Sequence, residues 1–183
     1  VKFKLKYLLL FLIGLLAAGI IYMKLRYPMP YREIVTQNAQ QYQLEPAMVY
    51  AVIHAESKFR TDAASPKEAL GLMQLTIATG EWIAGKLNIK DYSLEDLYDP
   101  ELNIMFGCWY LSYNLDYFNN DIELALAAYN AGRGNVAKWL ADEKYSKDGK
   151  TLDYIPFKET RNYIERVKMN YKIYSLLEAL YGW

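Results

Sequence analysis

Glu45-Pro46-Ala-Met48-Val-Tyr-Ala-Val52-Ile-His54-Ala55-Glu56-Ser57-Lys-Phe59 is the stretch on which the reading of this chain turns. Proline is tolerated in the first turn of a helix, where its missing N–H would have had no partner anyway, so Pro46 opens a helix. Met48, Val52, Ala55 and Phe59 then recur at helical spacing and mark an apolar face. Glu56 directly follows Ala55, at the edge of that face, where a side chain can emerge from a core into a cleft. His54 lies about 200° away around the helix and points elsewhere, as a bystander.

Working outward, Ser65-Pro66 precedes Gly71-Leu-Met73-Gln74, which is followed by Ala127-Ala128-Tyr129-Asn130-Ala-Gly132 and by Pro156-Phe-Lys-Glu159-Thr-Arg-Asn-Tyr163. One such match would be cheap; four in this order, behind a Glu-Ser pair, are a specific signal. Over residues 31–181 the series resembles the catalytic domain of the soluble lytic transglycosylase family, relatives of goose-type lysozyme that cut bacterial peptidoglycan. The resemblance implies an all-α, lysozyme-like domain in which Glu56 is the sole catalytic acid and base. It further implies substrate contacts from Ser65, Met73, Gln74, Tyr129, Asn130 and Glu159. Two positions depart from the family pattern. Glu68 stands where the family usually has Gly, which implies a different turn entering the site, and Arg133 stands where it usually has Pro.

The bulk properties narrow the chemistry. A chain of 183 residues, less its N-terminal thirty or so, is enough for one domain with one core. Twenty-one basic residues balance 21 acidic ones, and no like-charge run tracks a phosphate backbone, so nucleic acid is a poor partner. Cys108 and His54 are the single cysteine and the single histidine. They supply neither an internal disulfide nor the ligands of an ordinary zinc site, so no metal and no cofactor is expected. Cys108, after Gly107, reads as a small buried residue.

Residues 1–27 read as a membrane segment. Lys2, Lys4 and Lys6 precede the uncharged run from Tyr7 to Met23, apolar on every face, which would make a helix about 25 Å long against a bilayer core of about 30 Å. An uncleaved anchor is favoured over a cleaved signal peptide, although Ala17 and Gly19 are small enough for a cleavage site. The leading lysines favour an inside N-terminus and a catalytic domain on the cell-wall side. Pro28-Met-Pro30 forms a stiff linker, and residues 31–183 are the expected catalytic domain.

Within that domain the pattern predicts helices over residues 31–42, from Pro46 onward, over 71–86, 100–118, 122–129, 135–140 and 157–180. Asp99-Pro100 and Asp121 supply N-caps, and residues 61–70, 88–98 and 145–152 read as loops. No run alternates as a sheet strand does.

Glycosidic cleavage needs an acid that keeps its proton near neutral pH, whereas a free Glu titrates near 4.3, so the site must disfavour the carboxylate. A pocket lined by Met73 and Tyr129 would do this by desolvation. Glu68, Glu81 and Glu159 are the available second carboxylates, and none has a distinguishing spacing. By resemblance no second one is needed: the substrate's N-acetyl group and its muramyl O6 do that work, leaving a 1,6-anhydromuramyl end. Ser57 either supports the acid or bonds back to its own helix. The Gln74 amide and the Asn130 amide suit sugar substituents, against core or helix-end roles. Glu159 could equally favour a helix dipole, and Tyr154 is either a sugar-stacking ring or a packed loop residue. The expected partners are peptidoglycan glycan strands and a membrane; no protein partner is indicated. A water-using muramidase and a non-catalytic wall-binding scaffold are the alternatives.

Overall fold

The computed structural model describes residues 2–181, with side chains from Leu5 onward, so Lys2 and Lys4 of the expected basic flank and the terminal Gly182 and Trp183 lie outside the described side chains. The chain divides into two units, Val1–Pro30 and Tyr31–Trp183. The first contains α1 (Lys2–Arg26), whose described side chains are exposed except for the half-buried Met23, with Phe11, Leu16 and Ile21 among the exposed ones. Its segment Leu5–Arg26 is long and apolar enough to cross a membrane.

The second unit is helical: α2 (Arg32–Gln41), α3 (Pro46–Glu56), α4 (Ile77–Leu87), a 3-10 turn (Leu94–Tyr98), α5 (Pro100–Tyr117), α6 (Ile122–Ala131), α7 (Arg133–Leu140) and α8 (Lys158–Tyr181). The N-caps are those expected: Asp99 accepts from Leu102 N at 2.9 Å and Asp121 from Leu124 N at 3.0 Å. Helix α3 is the axis of the domain. Every residue from Ala47 to His54 is buried, so α3 is enclosed on all sides rather than along the single stripe its spacing suggests. It packs chiefly on α8, while α5 packs on α2 and α6, and α6 on α7 and α8. Its last helical residue is Glu56. Lys58 and Phe59 then turn to positive φ (54° and 66°), so the chain leaves the core where the acid stands.

The segment expected to begin a helix at Gly71 does not. Two short strands, β1 (Ala69–Leu70) and β2 (Leu75–Thr76), pair antiparallel around Gly71-Leu-Met-Gln74, and α4 starts only at Ile77, capped by Thr76. Gly71 (φ 74°) and Gln74 (φ 49°) close this turn, and a Cβ on Gly71 would come within 2.2 Å of Leu97 O. Glu68, where the family usually has Gly, has positive φ, 57°, the left-handed conformation that glycine adopts without strain.

Asn103 of α5 ties the hairpin down. Fully buried, its amide donates to Leu97 O at 2.7 Å and Leu70 O at 3.1 Å, and its oxygen accepts from Met73 N at 2.7 Å. Asn103→Ala would leave these backbone groups without partners in a dry interior. A loss of about 3 kcal/mol or more in urea unfolding is expected; a loss under about 1 kcal/mol would contradict this role.

Candidate active site

Where α3 ends, the hairpin, the end of α6 and the start of α8 surround a pocket of about 290 Å³. Its lining includes Glu56, Ser65, Lys67, Gln74, Tyr129, Asn130 and Glu159. Five of the six residues expected to attend Glu56 therefore meet around it. Met73 does not.

Met73 is a core residue. Its side chain is fully buried against Gly107 of α5, where an added Cβ would come within 2.1 Å of the Met73 sulfur. What Met73 offers the site is its carbonyl, which accepts from the Tyr129 hydroxyl at 2.9 Å. That bond commits the Tyr129 hydroxyl proton to the backbone, while Tyr129 itself lines the pocket as expected. Gln74 donates to Gly71 O at 3.0 Å and Ala63 O at 3.1 Å, so its amide nitrogen holds the turn together and its oxygen remains as an acceptor.

Opposite, the Asn130 oxygen accepts from the Thr160 hydroxyl at 2.8 Å, which pins the end of α6 to α8 and leaves the amide nitrogen for a ligand. The Ser65 hydroxyl accepts from Lys67 N and Ala69 N, fixing the loop entering β1. Glu159, in the first turn of α8, is exposed and forms an ion pair with Lys67 at 2.7 Å. Ser57 bonds back to Ile53 O at 3.4 Å, and His54 pairs with the Tyr174 hydroxyl at 3.0 Å in the core. Tyr154 is not in this pocket; its ring stacks on Tyr145 and under Arg161.

The carboxyl of Glu56 is raised from its ordinary 4.5 to about 8. Burial is the main cause. The Tyr163 hydroxyl and the Arg166 charge pull the other way, and the Glu159 charge raises it slightly further. Tyr163 closes the Pro156–Tyr163 element, to which sequence reasoning gave no role at the acid. Its buried hydroxyl faces Glu56 from α8, short of ideal hydrogen-bond geometry and with no other partner. Lys67 was missed as well, because a lysine after Ser-Pro looks like any solvated loop residue. Only its pairing across the pocket with Glu159, far along the chain, gives it a place in the site.

Fold and pocket together define a lysozyme-like helical domain built around one desolvated carboxyl group. The sequence model described as the Transglycosylase SLT domain matches residues 33–152, and the chain belongs to that family. The soluble lytic murein transglycosylase of Salmonella typhimurium is 34% identical over 144 residues, covering 78% of this chain and 22% of the relative. The membrane-bound lytic murein transglycosylase C of Yersinia enterocolitica is 32% identical over 123 residues, covering 62% of this chain and 34% of the relative. Among solved structures, an inactive Glu-to-Gln mutant of the lytic transglycosylase Slt from Pseudomonas aeruginosa superposes with a TM-score of 0.75 at 36% identity, covering 84% of this chain and 25% of that one. The 70 kDa soluble lytic transglycosylase of Escherichia coli gives 0.75 at 30% identity, covering 88% and 27%. The chain thus spans 22% of the Salmonella relative's length and 34% of the Yersinia relative's.

A carboxyl whose folded pKa is raised binds a proton that the unfolded chain releases, so its contribution to stability is lost as pH rises from the ordinary 4.5 through about 8. Glu56→Gln removes that loss. The variant is expected to match the native domain near pH 4 and to exceed it by roughly 2–4 kcal/mol near pH 9, allowing for the pocket's opening to solvent. Parallel stability curves across that range would contradict a buried acid.

Proposed function

We propose that the domain is a peptidoglycan lytic transglycosylase, cleaving the β-1,4 bond between N-acetylmuramic acid and N-acetylglucosamine. The observation that carries this reading is a desolvated carboxyl group, its pKa pushed up by burial, in the wall of an open pocket. Protonated Glu56 donates to the bridging oxygen as the bond to the muramyl anomeric carbon breaks, and the substrate's N-acetyl group stabilises the resulting cationic centre. The Glu56 carboxylate then takes the proton of the muramyl O6 hydroxyl while that oxygen bonds to the anomeric carbon. A 1,6-anhydromuramyl end forms, Glu56 regains its proton and no water is consumed.

Within the pocket, Asn130 offers an amide donor to an acetamido oxygen, Gln74 an acceptor to a sugar hydroxyl and Tyr129 a ring against a sugar face. Ser65 shapes the loop beside them. A second reading, a hydrolytic muramidase, draws on Glu159 as the other carboxylate in the pocket. Two-carboxylate hydrolysis asks that group to attack or to activate water, whereas here it is held in an ion pair with Lys67. The transglycosylase reading is also in keeping with the names of the relatives.

The same proposal puts the domain on the cell-wall side of a membrane, tethered by residues 1–27 through the linker 28–30. The exposed apolar surface of α1 and a Yersinia relative named as membrane-bound support the tether; the leading Lys2, Lys4 and Lys6 support the orientation, with Lys24 and Arg26 at the other end of the span partly balancing them.

Purified cell wall digested in heavy-oxygen water separates the readings by mass spectrometry. Anhydro ends without label are expected; labelled reducing ends would establish hydrolysis instead. Glu56→Gln is expected to lower the rate by at least about 10²-fold, and native-like cleavage by that variant would remove Glu56 from the mechanism. No cleavage by either form would leave the wall-binding scaffold.

A further inference from the structure

The pocket does not end at Tyr129. That ring lies 5.2 Å from Tyr110 of α5, which is 6.1 Å from Trp82 of α4. Trp82 in turn meets Trp109 and Tyr113 edge-on, each at 5.2 Å, and those two rings stack at 5.0 Å and 16°. This aromatic shelf, contributed by α4 and α5, is only partly buried, and it reaches the catalytic pocket through one ring-to-ring contact.

Arg133, the first residue of α7, lies across it. Its guanidinium carbon is 4.4 Å from the centre of Tyr113, 5.2 Å from Trp82 and 5.4 Å from Tyr117. Three rings hold the group in place, which lowers the entropy that a long side chain would lose on binding a ligand. Aromatic faces satisfy its charge and leave its N–H donors unused: among the described residues Arg133 makes no ion pair and no hydrogen bond. Lys86 adds a second cation 6.0 Å from Trp82, also without an ion pair among the described residues. A fixed, partly exposed guanidinium with a free fork of donors fits a carboxylate. It does not fit a sugar face, because Arg133 itself covers the face of Tyr113.

The ligand follows from the substrate class, so the inference rests on the reading of the domain as a peptidoglycan-cleaving enzyme. Muramyl residues carry short peptide stems with free carboxylates, and the stem is attached to the sugar whose bond is cut. We infer that Arg133, on the shelf of Trp82, Tyr113 and Tyr117, forms a subsite for a stem-peptide carboxylate, and that it favours strands carrying acidic stems over bare glycan. Arg133 stands where the resembling family usually has Pro.

Two measurements on the full chain in detergent test this. In the first, a synthetic tetrapeptide stem and its fully amidated analogue are titrated against the native protein by tryptophan fluorescence, since Trp82 and Trp109 are part of the shelf. The acidic peptide is expected to bind about tenfold more tightly than the amide, with the preference lost in Arg133→Gln and partly kept in Arg133→Lys. Equal binding of the two peptides, or an undiminished preference in Arg133→Gln, would overturn the subsite. In the second, the ratio of kcat/KM on stem-bearing strands to that on amidase-stripped strands is compared between native and Arg133→Gln protein. A fall of about tenfold in that ratio is expected, whereas an equal loss on both substrates would reduce Arg133 to a structural residue. If the native protein cleaves neither strand, the proposed reaction fails, while the fluorescence titration still decides whether the subsite exists.

Discussion

Exclusion of water from one carboxyl group is the constraint around which this domain is arranged. Glu56 is the last residue of a helix enclosed on nearly every side, and the chain turns to positive φ immediately after it, so the acid sits where the core meets the pocket. Burial pushes its pKa toward 8, against the pull of Tyr163 and Arg166. Those opposing influences matter to the chemistry. A carboxyl stranded far above neutrality would hold its proton and be a poor base in the second half of the reaction; one near neutrality can give the proton up and take it back.

Holding such a group costs stability, and the surrounding bonds offset that cost. Asn103 fastens the hairpin to α5, the hairpin presents the Met73 carbonyl to the Tyr129 hydroxyl, and Thr160 fastens Asn130 to α8. Each pocket wall is thus braced from behind by a hydrogen bond that never reaches the ligand. The groups left uncommitted, the Asn130 amide nitrogen and the Gln74 oxygen, are of the kind that recognise sugar substituents.

The helices could be read from the sequence because their signals are local: Pro46 and Pro100 in first turns, Asp99 and Asp121 as caps, Gly132 after α6. Glu56 could be read because it follows an apolar run and belongs to a recognisable series of motifs. The hairpin could not. Its strands are two residues each, too short for any alternation, and they exist because Gly71 and Gln74 turn to positive φ and because Asn103 binds from thirty residues away. The same non-locality hid the Lys67–Glu159 pair and the position of Tyr163 beside the acid. Met73 and Tyr129 were assigned to the pocket from their motifs, but a motif does not say which atom of a residue faces the ligand. Met73 is a core residue whose carbonyl only holds the Tyr129 hydroxyl, and Tyr129 is the one of the two that lines the pocket. Glu68 shows the converse limit: its side chain gives no local sign that the backbone there takes a positive φ.

Direct titration of the Glu56 side chain bears most closely on this account, by carbon-detected NMR of selectively labelled protein with Glu56→Gln to assign the resonance. A midpoint near 8 is the expected result. A midpoint in the ordinary carboxylate range, near 4.5, would mean that water reaches the group freely, and the acid at the centre of the mechanism would be charged and unable to donate its proton at neutral pH.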